Sequence, residues 1–304
     1  LGATSGNVTA IVTADTAANL NSALTNATTG TDVLTLTVNG ATAQATDLID
    51  LDGKTSVDVS VTATAVSGTF ANLNTVYVTN VANYVNLGDE NVTITDTTSA
   101  SNVNIILGAT SGNVTAIVTA DTAAALNTAL TNATTGTDAL TLTINDTSLT
   151  SVSDLLALDG KTNVAVNASS VNSISETIAN LNTAYNSAGI SGLGNENISI
   201  TNTGTITAAQ INDILGETSG TITLVGSGNL AITMASGQTL NLSGITNSLS
   251  GNLSITDSTG NETITGTSAN DTLTLSSGND TVNLGNGSDT INTTIGNLDT
   301  FDNI

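Results

Sequence analysis

The 304-residue chain has no cysteine, histidine, tryptophan, proline or arginine, and aromatics make up 2% of it. Each absence closes off chemistry. Without Cys and His the common nucleophile–base pairs and zinc sites are excluded, and so are disulfides. The only cations are Lys54 and Lys161 against 25 acids, a formal net charge of −23. Two lysines cannot neutralise a phosphate backbone, so nucleic acid is not a partner. An anionic membrane surface would repel the chain, and no run approaches the roughly 18 apolar residues of a membrane span. With so few rings, no core can be organised around large aromatics.

What is present is Val, Ile, Leu and Ala among Ser, Thr, Asn and Gly. Abundant β-branched residues with little charge is not the composition of a disordered chain. It suits a thin, long core of many small, similar layers. Residue 1 is Leu rather than Met and no leader peptide is visible, which reads as a processed product or a section of a longer protein.

Internal repetition is the strongest signal. Residues 1–38 recur as 107–144, an offset of 106, with four differences: Asn19/Ala125, Ser22/Thr128, Val33/Ala139 and Val38/Ile144. Looser echoes follow. Asp52-Gly53-Lys54-Thr55 returns as Asp159-Gly160-Lys161-Thr162, and Leu87-Gly88-Asp89-Glu90-Asn91 as Leu193-Gly194-Asn195-Glu196-Asn197. A third copy starts at Leu215-Gly216-Glu217-Thr218 and then departs.

Alternating apolar runs at 8–14, 33–38, 57–63 and 91–96 predict strands. Helical spacing lies between them. Asp15 is the expected N-cap of a helix carrying Leu20 and Leu24, and Leu48 with Leu51 predicts a helix ended by Gly53. Leu73 with Tyr77, then Ile178, Leu181 and Tyr185, then Ala208 to Leu215 with its counterpart Ser101 to Leu107, predict others. Strands in sequence with helical crossovers favour parallel pairing and right-handed crossings. The expected fold class is a β-solenoid, each coil packing on its neighbours. A doubly wound domain is the alternative, but it would not explain near-identical copies. After about residue 218 the helical pattern stops, and strands at 221–225, 229–234, 239–243 and 252–256 predict a helix-free β-helix.

From residue 257 the spacing locks at nine. Acids recur at Glu262, Asp271, Asp280 and Asp289, and apolar residues at Ile264, Leu273, Val282 and Ile291. A glycine stands two before the acid at 260, 278 and 287, with Ala269 departing. This segment resembles the RTX nonapeptide repeat, G-G-x-G-x-D-x-U-x, of type I-secreted calcium-binding proteins. The resemblance implies a parallel β-roll with two nonapeptides per turn, apolar residues inside and calcium held by acids and loop carbonyls. Glu262 would then face Asp280, and Asp271 would face Asp289. Calcium takes six to eight oxygen ligands, and acids stacked about 4.8 Å apart repel without a cation. The other reading is a plain β-helix whose Asp and Asn residues form local turns.

Asp159-Gly160-Lys161-Thr162, Leu181-Asn182-Thr183-Ala184-Tyr185 and Ala188 to Glu196 resemble tandem repeats in very large cyanobacterial surface and fibril proteins with RTX ends. That resemblance implies type I secretion and display at the cell surface. The sequence divides into β/α repeats over 1–106 and 107–217, β-helix coils over 218–256 and nonapeptides over 257–304.

No acid pair stands out from the repeat register, so a catalytic site is not expected. Asn-x-Ser/Thr sites such as Asn7, Asn26, Asn113 and Asn197 arise by chance at this composition, and surface glycans stay an open partner. The Thr rank at 263, 272, 281 and 290 reads as a solvent face. Three functions follow: a structural subunit of an extracellular filament, sheath or surface layer that self-associates through stacked ends; an adhesin stalk or phage-fibre segment; and a β-helical polysaccharide-modifying enzyme. The first is favoured, because nothing at either end reads as a polar cap.

Overall fold

The computed structural model describes residues 2, 4, 6–27, 30–134, 136–294, 296 and 297. The tail of the nonapeptide segment, residues 298–304, and Leu1 of the first repeat lie outside them. The chain forms two compact units. One comprises residues 1–144 and 157–166, the other residues 145–156 and 167–304.

In the first unit, five strands pair in parallel: Ala43–Gln44, Ala65–Gly68, Asn91–Ile94, Val114–Ile117 and Ala139–Thr141. Neighbours in this ladder are one coil apart, as Ala65 is from Asn91 and Val92 from Val114. A second ladder joins Thr37–Val38, Val59–Val61 and Tyr84–Val85, and a third joins Thr9–Ile11 to Val33–Thr35. The register sets like on like. Val66, Val92 and Val114 form one buried column. Burying each valine is worth about 1.5–3 kcal/mol, which such short strands need. The run 33–38, expected as one strand, is two. Val33–Thr35 and Thr37–Val38 join different ladders, with buried Leu36 between them where the chain changes sheets.

The helices are α1 (Ala17–Ala23), α2 (Ala45–Asp52), α3 (Phe70–Asn74), α4 (Ala100–Leu107), α5 (Ala123–Ala129), α6 (Ser153–Asp159), α7 (Ile178–Tyr185) and α8 (Ala208–Leu215). A hydroxyl starts most of them. Thr16, Thr69, Ser99, Thr122 and Thr207 each accept a hydrogen bond from the backbone N–H three positions on. The expected cap Asp15 is thereby corrected to Thr16. Asp15 lies one position too early to reach that N–H, and instead accepts from Thr16 N at 2.7 Å and Asn19 Nδ2 at 2.9 Å.

The repeated Asp-Gly-Lys-Thr is a clasp between coils. Lys54 Nζ donates to Leu24 O at 3.3 Å and Lys161 Nζ to Leu130 O at 2.7 Å, so each lysine meets the C-terminal end of α1 or α5. The adjoining threonines are buried. Leu34 N donates to Thr55 Oγ1 at 3.0 Å, and Leu140 N to Thr162 Oγ1 at 2.9 Å.

In the second unit, Ser148–Leu149, Ser173–Glu176, Asn197–Ile200, Ile222–Gly226 and Ile245–Leu249 form a parallel sheet with Ile174, Ile198, Ile222 and Ile245 in one buried column. The strand Ile245–Leu249 escaped recognition from sequence, because apart from the column residue Ile245 it is Thr, Asn and Ser up to Leu249. A second sheet joins Gly204–Thr207, Leu230–Thr233, Leu253–Thr256, Asp271–Thr274 and Thr290–Asn292, and a third joins Thr239–Asn241, Thr263–Thr265 and Thr281–Asn283. Among the described residues no helix follows Leu215. The coil then shortens. Leu230 pairs with Leu253, but Leu253 already pairs with Asp271, and Thr263 with Thr281, a coil of only two nonapeptides.

Thr162→Val keeps the shape of the clasp but leaves the buried Leu140 N–H without an acceptor. Chemical denaturation should show a loss of about 1–3 kcal/mol, with Thr162→Ser close to wild type. Equal stability of Thr162→Val and wild type would mean the clasp contributes nothing.

Candidate metal centre

Successive nonapeptides alternate between two sheets, so two of them complete one coil. Ile264 and Val282 stack in one sheet, Leu273 and Ile291 in the other, the first three buried and Ile291 partly so. The outward threonines also stack, Thr263 on Thr281 and Thr272 on Thr290. The acids therefore fall into two rows, Glu262 with Asp280 and Asp271 with Asp289.

In the first row Asp280 Oδ1 accepts from Glu262 N at 2.9 Å, and Glu262 Oε1 accepts from Gly237 N at 2.7 Å. A third acid joins them. Asp257, Glu262 and Asp280 each offer a carboxylate oxygen, and these oxygens all lie within 4.8 Å of one another. The three residues are 7%, 1% and 1% exposed. Asp257 Oδ2 accepts from Ser276 N at 3.0 Å, while Asp257 Oδ1 and Glu262 Oε2 are buried with no hydrogen-bond partner. The chain's two lysines are engaged at helix ends elsewhere. Burial pushes the Glu262 carboxyl up to about 7; Gly237 N–H opposes this, and Asp257 and Asp280 reinforce it.

Oxygen ligands lie about 2.3–2.6 Å from calcium, so ligands on opposite sides of one ion stand about 5 Å apart. Three carboxylates whose oxygens converge within 4.8 Å, with Asp257 Oδ1 and Glu262 Oε2 unsatisfied, fit a hard divalent cation in size and in chemistry.

Asp257 was not among the residues expected from spacing. It stands five positions before Glu262, outside the nonapeptide phase, and continues the strand Leu253–Thr256. Thr256 pairs with Thr274, which puts Asp257 beside buried Leu275. An acid one coil ahead of a core leucine was the available signal, and it becomes visible only once the coil length is known.

The second row is built differently. Asp271 Oδ2 accepts from Thr267 N at 2.7 Å, and Thr267 Oγ1 lies 3.1 Å from both carboxylate oxygens. Burial raises the Asp271 pKa, the Thr267 bonds oppose it, and Asp289 adds to the rise. Asp289, half-buried, accepts from Asp271 N at 3.0 Å. Asp271 thus closes its own loop, while Asp289 follows it in the stack. Loop stacking is tight: a Cβ on Gly278 would collide with Gly260 O. Ala269, which departs from the glycine pattern, is not among the residues with positive φ, so that position does not require glycine.

Parallel strands in short, regularly stacked coils, closed by buried acids at the turns, define a β-repeat protein with a cation-binding segment. Residues 256–291 match the RTX calcium-binding nonapeptide repeat, in four copies. The segment is an RTX-type repeat, and RTX nonapeptide repeats bind calcium. Proteins with such repeats are typically secreted by type I systems, and the repeat segments themselves are typically non-enzymatic. Nothing among curated proteins or solved structures matches the chain. Among the described residues no helix is long and apolar enough to cross a membrane.

Glu262 holds its proton more tightly folded than unfolded, where its pKa is near the ordinary 4.5. Its contribution to calcium-free stability is therefore present below pH 4.5 and lost as pH rises to about 7. Melting in chelator should show wild type losing stability relative to Glu262→Gln between pH 5 and pH 8. A wild type that gains on the variant over that range would contradict a frustrated carboxylate cluster.

Proposed function

We propose that the chain is a secreted, non-enzymatic structural protein that assembles into an extracellular filament, sheath or surface layer. Its fold class is a β-solenoid: right-handed β/α coils over 1–106 and 107–217, a helix-free β-helix over 218–256 and an RTX-like β-roll over 257–304. Calcium is held by Glu262 and Asp280 with Asp257, and in the second row by Asp289 beside Asp271. The ion supplies positive charge to stacked carboxylates and thereby ties one coil to the next.

Two copies of one sequence carry the assembly reading. Val8 to Val12 and Val114 to Val118 are identical. In the later copy the strand Val114–Ile117 is paired on one side with Asn91–Ile94, and Val114, Ala116 and Val118 are buried. In the earlier copy Thr9–Ile11 pairs only with Val33–Thr35 among the described residues. Val8, Ala10 and Val12 are only partly covered, and Ile11 is 87% exposed. Among the described residues this edge carries no second partner strand, and an unpaired strand edge recruits another strand. In the assembly reading a coil from a second copy covers it, as the preceding coil of its own chain covers Val114–Ile117, and a contact that does not close on itself builds a filament.

Calcium should raise the melting temperature of the wild-type chain and have much less effect on the Glu262→Gln/Asp280→Asn variant. Equal shifts would remove the residue assignment, and no shift in either would remove the calcium role.

Electron microscopy and light scattering of the concentrated chain with calcium should show filaments. Thr9→Pro removes an N–H from the open edge and should abolish them without lowering the monomer's melting temperature. Uniform monomers of the wild type under these conditions would sink the assembly reading and favour a stalk.

A further inference from the structure

Two glutamates outside the nonapeptide segment share an unexplained feature. Glu90 and Glu196 occupy the same place in the loops 87–91 and 193–197, and are 2% and 0% exposed. Glu90 Oε2 accepts from Tyr77 Oη at 3.1 Å and from Gly88 N at 2.8 Å. Glu196 Oε2 accepts from Tyr185 Oη at 2.7 Å, Gly194 N at 2.8 Å and Asn195 N at 3.1 Å. In both residues Oε1 is buried without a hydrogen-bond partner.

Neither protonation state satisfies that oxygen. A protonated Oε1 would be a buried donor without an acceptor, and an ionised one a buried anion without a donor. No lysine serves either residue, since both lysines bond to carbonyls at helix ends. One such oxygen could be an accident of packing. The same oxygen, with the same Tyr and Gly partners, occurs twice at an offset of 106.

Each of the two tyrosine hydroxyls that bond a glutamate also feels a second, exposed acid, supplied from a different position. Asp89 adjoins Glu90 and acts on the Tyr77 hydroxyl, while Asn195 takes its place in the later copy. There Glu217 acts on the Tyr185 hydroxyl instead, and its place in the earlier copy is Ala109. A second acid thus acts at both tyrosines although the residue that supplies it moves. The loops carrying them are stacked and bonded. Ser111 N donates to Gly88 O at 2.8 Å and Ser219 N to Gly194 O at 2.9 Å. Thr110 Oγ1 donates to Glu90 O, and Thr218 Oγ1 to Glu196 O, both at 2.7 Å. A Cβ on Gly112 or Gly220 would strike Glu90 O or Glu196 O, so only glycine permits this approach. Glu90 and Asp89 line a cavity of about 280 Å³ with Asn86 and residues 61–64.

We propose that Glu90 with Asp89, and Glu196 with Glu217, form a second class of divalent-cation site, of the calcium type, which ties each loop to the coil stacked on it. All the donors are oxygens, which suits a hard cation. These sites lie outside the RTX-type segment, so they stand or fall separately from the calcium assigned there.

The tyrosines permit a selective test. The chain has three tyrosines and no tryptophan, and none of the tyrosines lies in residues 256–291. Terbium, a calcium substitute, emits under tyrosine excitation only when bound close to the ring. A Tyr84→Phe background leaves Tyr77 and Tyr185, the two that bond the glutamates. Full-length chain in this background should give sensitised emission that calcium competes away. Glu90→Gln should remove about half of it and Glu90→Gln/Glu196→Gln nearly all, whereas Glu262→Gln/Asp280→Asn should leave it unchanged. Should the double variant fail to fold, Asp89→Asn/Glu217→Gln, at less buried positions, should raise the terbium midpoint about tenfold. Absence of sensitised emission, emission that survives in the folded double variant, or an unmoved midpoint would each overturn the proposal and leave buried water as the partner of Oε1.

Discussion

The structure depends on one constraint, the parallel pairing of each strand with its counterpart one coil later. Such a ladder places every residue beside its successor at a spacing of about 4.8 Å. Where the successor is apolar, the result is a continuous core, as in the column Ile174, Ile198, Ile222 and Ile245. Where it is acidic, the same geometry brings carboxylates together, as with Glu262 and Asp280. Stability and cation demand are two consequences of one register.

The charge balance follows from this. With two lysines against 25 acids, side chains cannot neutralise the stacked carboxylates. Both lysines are already committed to helix C-terminal carbonyls. Backbone N–H groups and hydroxyls therefore take up most of the work: Gly237 at Glu262, Thr267 at Asp271, and Tyr77 and Tyr185 at the buried glutamates. Several carboxylate oxygens are still left over. Desolvated and unpaired oxygens of this kind are costly unless a cation or water completes them. Shortening of the already helix-free coil to two nonapeptides concentrates the effect, because it leaves turn acids directly above turn acids.

Much of this was legible in the residues. The offset of 106 announced stacked copies, and each of the eight alternating runs falls on a strand, although many of the shorter strands between them showed no alternation. The spacing of nine gave the two rows of acids and the apolar residues between them. Other features were not legible. Asp15 and Thr16 are both good caps, and only the backbone path decides between them. The strand Ile245–Leu249 has too few apolar residues to show alternation, and it forms because a neighbouring column needs Ile245. Asp-Gly-Lys-Thr showed in the residues only as an echo between copies, and the structure makes it a clasp between coils.

The sequence by itself determined the repetition, the parallel pairing and the acidic turns, because all three are periodic along the chain and periodicity needs no partner to be seen. Only the tertiary structure decided which acids meet. Asp257 joins Glu262 and Asp280 across coils although it lies outside their phase. Asp271, in phase, turns its carboxylate back onto Thr267. The reason is physical: the distance between two carboxylates is set by coil length and loop path, and neither is written in the spacing of the acids themselves.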